Sequence, residues 1–277
     1  MILEIEQDNF KSINVLLDDT VDNVEIKAVI EGNNPGWVFV DSIKSPHTAM
    51  IWSKGIQGFY FVGDENNPEF NNYISDYIDK EIEPRAIKEN LNRFEFSGET
   101  EKWCSIFENI FCDRELNKSK QYIYKFNYDS WNNYNKRKLK DMFTLRKINT
   151  ELLNDKNIDN LDYIVSEILR WWDSCEEYLK ETFGYCTISD NKIVNYCICN
   201  FVYENIHTIG IETLEEYRRN GLSQVTTEAF VETCIDKQLN PHWECMESNI
   251  PSRSLAEKLN FNREHIYTLY SFPFKTE

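Results

Sequence analysis

No run of 18 apolar residues occurs in this 277-residue sequence, so no segment has the character of a membrane-spanning helix. No targeting leader is expected either. The opening MILEIEQDNF is acidic and lacks a basic stretch followed by an apolar run, which gives the expectation of a cytoplasmic protein. Positive charge is in short supply: 30 Lys and Arg stand against 47 Asp and Glu, a formal net charge of −17. Nucleic acid is therefore not an expected partner, because a phosphate backbone needs a basic face. A cationic small molecule fits better, since long-range attraction would concentrate it near an acidic protein. The eight cysteines have no framework spacing, and neither a Cys-x-x-Cys nor a His partner pattern is present. Reduced, buried thiols are expected, and no metal site.

What is present is ample core material. Hydrophobic residues make up 41% of the chain, with 17 Phe, 15 Tyr and 7 Trp, and the length is natural for two domains. Residues 1 to 30 read as an amphipathic, acidic helix followed by a linker. Asn33-Asn34-Pro35-Gly36 is a turn signal, followed by strands at 37–40, 48–52 and 58–62. Helical spacing runs over 69–93 with Pro84 interrupting, another helix carries Trp103 to Phe111, and 121–126 is strand-like. These elements form an N-terminal α+β domain, 1–128. A polar connector, 127–140, holds the basic run Lys136-Arg137-Lys138, which reads as a solvated face. The second domain, 140–277, begins with a strand at 143–148 and helices over 158–182. Three antiparallel strands follow, with a hairpin turn at 189–192, then helix, strand, helix and a last strand through Tyr267 to Tyr270.

One stretch organises this second domain. In Ile209 to Ser223, Ile211 and Thr213 continue a strand alternation that breaks at Leu214. Arg218-Arg219-Asn220-Gly221-Leu222-Ser223 then leads into a helix marked by Leu222, Val225, Ala229, Phe230 and Cys234. A glycine at the entry to a helix lets the backbone come close to a ligand. The free N–H groups of the first turn favour an anion, aided by the helix dipole. The spacing points to a pyrophosphate site of main-chain amides, with Arg218 and Arg219 adding positive charge.

Arg218-x-x-Gly221-x-Ser223 resembles the acetyl-CoA signature of the GNAT acetyltransferases, Q/R-x-x-G-x-G/A, with Ser223 in place of the last small residue. Asn249-x-x-Ser252-x-x-Leu255-Ala256-Glu257-Lys258-Leu259-Asn260-Phe261 resembles the family's second motif, with Asn260 for its glycine. The whole chain is similar to the bacterial group of the zwittermicin A resistance acetyltransferases, through Gly36-Trp37-Val38-Phe39-Val40-Asp41 and Ala49-Met50-Ile51-Trp52. The resemblance implies a GNAT fold, a splayed mixed sheet flanked by helices. Before it would stand an N-terminal α+β domain with the element order of a degenerate GNAT copy that has lost its cofactor loop.

The resemblance also implies transfer of an acetyl group from acetyl-CoA to a primary amine of a small molecule, by direct attack on the thioester and without a metal. Amides of Arg219, Asn220, Gly221, Leu222 and Ser223 would hold the pyrophosphate, with Arg218 beside them. The backbone of Ile211 and Thr213 would pair with the pantetheine arm where neighbouring strands splay. Asn249 and Ser252 fall at positions near that arm. The base is open between His207, an imidazole suited to proton removal near neutrality, and Glu212, with water as a third choice. Each has a plainer alternative: His207 as a strand-end polar residue, Glu212 as a carboxylate bonding the loop amides. Strict alternation turns Glu212 away from Ile211 and Thr213 unless a bulge redirects it. Ala256 stands where many members have a tyrosine, leaving the thiolate's proton to Ser252, Ser254 or solvent, although Ser252 also reads as a helix N-cap. That departure keeps a second function open, a non-catalytic acyl-CoA-binding or interaction protein. A monomer and a homodimer are equally compatible with the sequence.

Overall fold

A computed structural model describes residues 2–18 and 23–275. In chain order the elements are β1 (Leu3–Ile5), α1 (Val24–Glu31), β2 (Gly36–Val40), β3 (Thr48–Ser53), β4 (Gly58–Gly63), α2 (Pro68–Tyr77), α3 (Glu83–Lys88), β5 (Arg93–Gly98), α4 (Lys102–Ile110), β6 (Asn117–Phe126), α5 (Tyr128–Trp131), β7 (Thr144–Lys147), α6 (Thr150–Leu153), α7 (Leu161–Trp171), α8 (Cys175–Glu181), β8 (Gly184–Ser189), β9 (Lys192–Tyr203), β10 (Ile206–Thr213), α9 (Leu222–Asp236), β11 (Asn240–Met246), α10 (Ile250–Lys258) and β12 (Phe261–Pro273). Two compact units result: Met1–Gln121 with Ile266–Glu277, and Tyr122–His265. The sequence reading had kept the last strand wholly with the second domain, whereas here its end packs with the first unit.

In the first unit β1, β2, β3 and β4 form an antiparallel run, β4 pairs parallel with β5, and the end of β12 pairs antiparallel with β5. Alternation along β4 sends Phe59 and Phe61 into one core and Tyr60 and Val62 into another. The first core is rich in aromatic residues, with the rings of Phe94, Phe107, Phe111, Tyr270 and Phe272 all in contact with Phe96. The second is aliphatic, built from Ile26, Val29, Val38 and Ile51. Burial on both faces is what a sheet between two helical layers requires.

The N-terminal segment departs from the single helix expected. A short strand and a 3-10 helix, Gln7–Leu16, precede α1, which is capped by the Asn23 side chain; residues 19–22 of that reading lie outside the described ones. Pro84 interrupts as its chemistry dictates. It sits in the first turn of α3, after a π-helical turn, Ile78–Ile82, that joins α3 to α2. The strand β5 had been missed, because only Phe94 and Phe96 carry its alternation.

In the second unit β7, β8, β9 and β10 run antiparallel, and β11 joins β10 in parallel. The helical stretch expected over 158–182 is broken where Trp172 becomes extended and Ser174 caps α8. Tyr185 bonds Thr233 of α9 on one face of the sheet, while Gly184 abuts Tyr178 of α8 on the other. A methyl at Gly184 would lie 2.3 Å from the Tyr178 hydroxyl oxygen, so this close approach requires glycine. Five of the eight cysteines are buried and all eight are free thiols; burial pushes Cys186 and Cys199 up to about 12.

The aromatic core gives a direct test. Phe96 is fully buried, so Phe96→Ala should cost about 3–5 kcal/mol in urea unfolding; a loss under about 1 kcal/mol would show that the cluster does not hold this unit together.

Candidate cofactor and acceptor site

Pairing between β10 and β11 covers only Ile206–Thr208 with Asn240–His242. Beyond Thr208 the two strands part, while β10 stays paired with β9 as far as Thr213–Asn195. The main chain of Ile209 to Thr213 therefore presents one free edge beside β11. A β-bulge marks the point of parting. Asn200 and Phe201 of β9 face the single residue Thr208, and the Thr208 hydroxyl accepts the Phe201 N–H at 2.8 Å. Nearby, Gly210 makes room for the Asn200 side chain, whose Oδ1 would lie 2.2 Å from a methyl there.

The chain leaves β10 through a 3-10 turn, Glu215–Tyr217, and enters α9 with Gly221 as its N-cap. Arg219 and Gly221 have positive φ, 63° and 79°. For the arginine this conformation costs on the order of 1 kcal/mol, and it reorients the amides of the turn. No side chain caps the first turn of α9, so its leading N–H groups keep their capacity to donate outward. Ser223 does not block the turn. Its hydroxyl bonds Thr213 Oγ1 at 2.8 Å, and Asn195 donates to Thr213 Oγ1 and to the Glu212 carbonyl. Thr226 completes the network by donating to Asn195 Oδ1. Thus a satisfied polar cluster ties the end of β10 to the start of α9 where the family motif has a smaller residue.

Leu222 is buried against Phe143 and Val194 and fixes the helix start. Arg218 donates from Nε to the Thr213 carbonyl, and Asn220 donates to the Tyr217 carbonyl. Lys140 reaches Asn220 Oδ1, and the Arg137 guanidinium lies directly over Gly221. These two cations come from the segment that had been read as a solvated connector. The residues present fit a pyrophosphate: uncapped amides, a glycine without a side chain, and local cations within an acidic chain.

The two candidate bases separate. His207 is 4% exposed and stacks on Phe183, which itself packs on Phe230 of α9. Burial lowers its imidazole to about 4. Glu212 faces the opposite side of the sheet, where its Oε2 accepts the Tyr196 hydroxyl at 3.0 Å. Its partner is thus Tyr196, and the bulge lies upstream, leaving the alternation at Glu212 intact. Tyr163 of α7 packs on Tyr196 with ring centroids 5.1 Å apart. Burial first, then nearby carboxylates including Glu167 and Glu212, hold both tyrosines protonated well above their usual range. Glu167 accepts the Trp171 indole N–H at 2.9 Å. Carboxylates and aromatic faces together make an environment suited to a cation. By contrast Trp172 and Trp243 are core residues, bonded to the Cys199 carbonyl and to Ser252 Oγ.

On α10 the N-cap is Asn249, whose side chain accepts the Ser252 N–H at 3.2 Å, so the reading of Ser252 as the cap is corrected. Ser252 instead accepts from Trp243. Ala256 is fully buried.

The family profile of GNAT acetyltransferases matches residues 14–270. The chain belongs to that family. Among the relatives of this GNAT chain is the protein named uncharacterized N-acetyltransferase YdfB from Bacillus subtilis (strain 168), 24% identical over 271 residues, with 98% of each chain covered. The fold is shared with a GCN5-related N-acetyltransferase-like protein from Streptococcus suis 89/1591 (19% identity, TM-score 0.67, covering 96% of this chain and 98% of that one). It is also shared with a tandem GNAT protein from the clavulanic acid biosynthesis pathway (8% identity, TM-score 0.63, covering 100% and 99%). Both likenesses run through both units, in keeping with the mixed sheet, the flanking helices and the tandem-like arrangement. Among the described residues no helix is long and apolar enough to cross a membrane.

Among the described residues, the first unit of this GNAT chain has no equivalent opening. There β4 stays paired with β5 through Phe61–Gly98, and the Glu99 N–H continues to the Phe61 carbonyl at 2.9 Å. The first turn of α2 begins with Pro68, which has no N–H, and the Asn67 side chain accepts the N–H groups of Glu69 and Phe70. Asp64, Glu65 and Glu69 add negative charge to the same turn. The helix start that follows this strand pair is thus capped by a side chain and flanked by carboxylates.

His207 generates a pH prediction. The folded protein keeps this imidazole neutral down to about pH 4, whereas the unfolded chain takes up the proton near its ordinary value, about 6.5. This part of the stability is complete above about pH 6.5 and is lost as pH falls toward 4, by up to about 3 kcal/mol. Substituting His207→Leu should flatten the acid limb of the stability–pH curve relative to wild type; an unchanged limb would show that the histidine is not held neutral by burial.

Proposed function

We propose that the second unit transfers the acetyl group of acetyl-CoA to a primary amine of a small, cationic molecule. The observation that carries this reading is the free edge of Ile209 to Thr213 lying next to the uncapped Gly221 turn. Acetyl-CoA, when bound, supplies an acyl group activated as a thioester. In this reading the amides from Arg219 to Ser223 hold its pyrophosphate, and main-chain groups of Ile211 and Thr213 pair with its amide-bearing arm as an added strand would. Asn249, with Ser252 beside it, flanks the arm from the other strand's side.

An amine arrives protonated and must lose that proton before it attacks. Glu212 takes this part better than His207, because Glu212 is exposed on the aromatic face while His207 is stacked in the core. The Tyr196 hydroxyl orients one Glu212 oxygen and leaves the other free to accept a proton, directly or through one water. Tyr163, Tyr196, Glu167 and Trp171 supply the aromatic and anionic surface that a cationic acceptor would select. With Ala256 buried, the leaving thiolate is protonated by solvent or by the Ser252 hydroxyl. Likeness to the zwittermicin A resistance group accords with an aminated small molecule as acceptor.

Glu212→Gln should lower kcat for acetyl transfer by about 10²–10⁴-fold while leaving acetyl-CoA affinity unchanged. Release of free thiol with a panel of polyamines, aminoglycosides and amino sugars is the readout; full turnover by the variant would refute the assignment. Binding without turnover across the panel would favour an acyl-CoA-binding protein instead. Calorimetry should also give one CoA per chain, since among the described residues only the second unit has an open seam; two sites would contradict the closed turn at Asn67.

A further inference from the structure

The segment after α5 is strapped onto α9 by a carboxylate. Glu228 is 3% exposed. Its Oε1 accepts the Tyr134 hydroxyl at 2.6 Å and Gln224 Nε2 at 2.8 Å, and its two oxygens accept the Arg137 main-chain N–H at 3.1 and 3.0 Å. A buried carboxylate is costly unless its oxygens are satisfied, and this one is saturated by fixed donors. Tyr134 is stacked flat on Trp131, ring centroids 4.5 Å apart at 7°. Lys136 forms an ion pair with Glu232 one turn further along α9, and Lys140 donates to Asn220 at 2.8 Å. The outcome of these bonds is the position of one side chain. An ideal methyl at Gly221 would lie 2.1 Å from Arg137 Nε and 2.3 Å from Cζ, so the guanidinium rests on the glycine that opens α9. In a chain of net charge −17, this arginine makes no ion pair among the described residues. A buried acid has been spent on its backbone, and its planar donors are left beside the free amides of the turn.

We propose that residues 131–140 form a phosphate clamp: Arg137 and Lys140 donate to the phosphates of CoA held on the Gly221 turn, and Glu228 is the positioning residue that holds the strap. The proposal rests on the cofactor reading above. A guanidinium suits a phosphate because its fork donates to two oxygens at once. Glycine at 221 then has two reasons, its left-handed backbone and the room it leaves for Arg137.

The test is calorimetric binding of CoA and dephospho-CoA to the full chain, with no turnover needed. Arg137 is exposed, so Arg137→Ala should leave the thermal midpoint in place and weaken CoA about tenfold or more. Arg137→Lys should recover part of the loss. Equal weakening of dephospho-CoA would assign the arginine to the pyrophosphate, and weakening of CoA alone to the 3′-phosphate; either supports the clamp. Adding Glu228→Gln to Arg137→Ala should weaken binding no further, because the two act through one contact. Wild-type binding with unchanged or tighter binding by Arg137→Ala would overturn the clamp alone. No CoA binding by the wild type would overturn the cofactor reading and the clamp with it.

Discussion

Two parallel strands that stop pairing after Thr208 are the constraint from which the rest of the second unit follows. Main-chain N–H and C=O groups along Ile209 to Thr213 would ordinarily be satisfied by β11. Leaving such groups unpaired costs about 1–3 kcal/mol each where water is excluded. Beside the point of parting, the β9 pairing has its own irregularity, the bulge of Asn200 and Phe201 opposite Thr208. There the lost ladder bond is replaced by the Thr208 hydroxyl, and β10 remains firmly paired on its other side. The opening is therefore one-sided. One edge is held rigid by β9, and the other is available to a ligand that can act as a strand.

The turn that follows depends on polar packing where an apolar contact would be usual. Asn195, Thr213, Ser223 and Thr226 form a closed set of hydrogen bonds beneath the Gly221 turn. In a low-dielectric interior such a network is stabilising only when each member is satisfied, and it then fixes one geometry more sharply than methyl groups would. Ser223 is the member that departs from the acetyl-CoA signature. Its hydroxyl points back to Thr213 and away from the amides. The serine thus couples the loop to the end of β10.

Much of the fold was legible because hydrophobic period and turn chemistry agree over most of the chain. The strands at 37–40, 48–52 and 58–62 appear as β2, β3 and β4, and the hairpin at Asp190-Asn191 has positive φ at both residues. The turn around Gly221 was legible because glycine, arginine and helix spacing coincide there. Other features were not. The parting of β10 from β11 is a matter of register, which no single strand's sequence encodes. His207 and Glu212 looked alike as polar residues in a strand, and only packing against Phe183 and Tyr196 separates them. Lys136-Arg137-Lys138 reads as a solvated basic run because the residue that holds the Arg137 backbone, Glu228, lies about ninety positions away. One local signal was available: Glu228 stands among the apolar residues of a helix buried on most sides, and a carboxylate there needs a partner.

The two units of this GNAT chain differ at one strand pair and at the helix entry that follows it. Both have a parallel strand pair with a helix entered by a tight turn. In the first unit the pair stays closed, proline removes an N–H, asparagine takes two more, and carboxylates surround the turn. In the second the pair opens, glycine caps nothing, and arginines surround the turn. Each change alone would weaken an anion site. Together they close the seam and place carboxylates and a side-chain cap where the second unit has arginines and an uncapped glycine. The first unit is then free to invest its interior in aromatic packing, since nothing must be kept open within it.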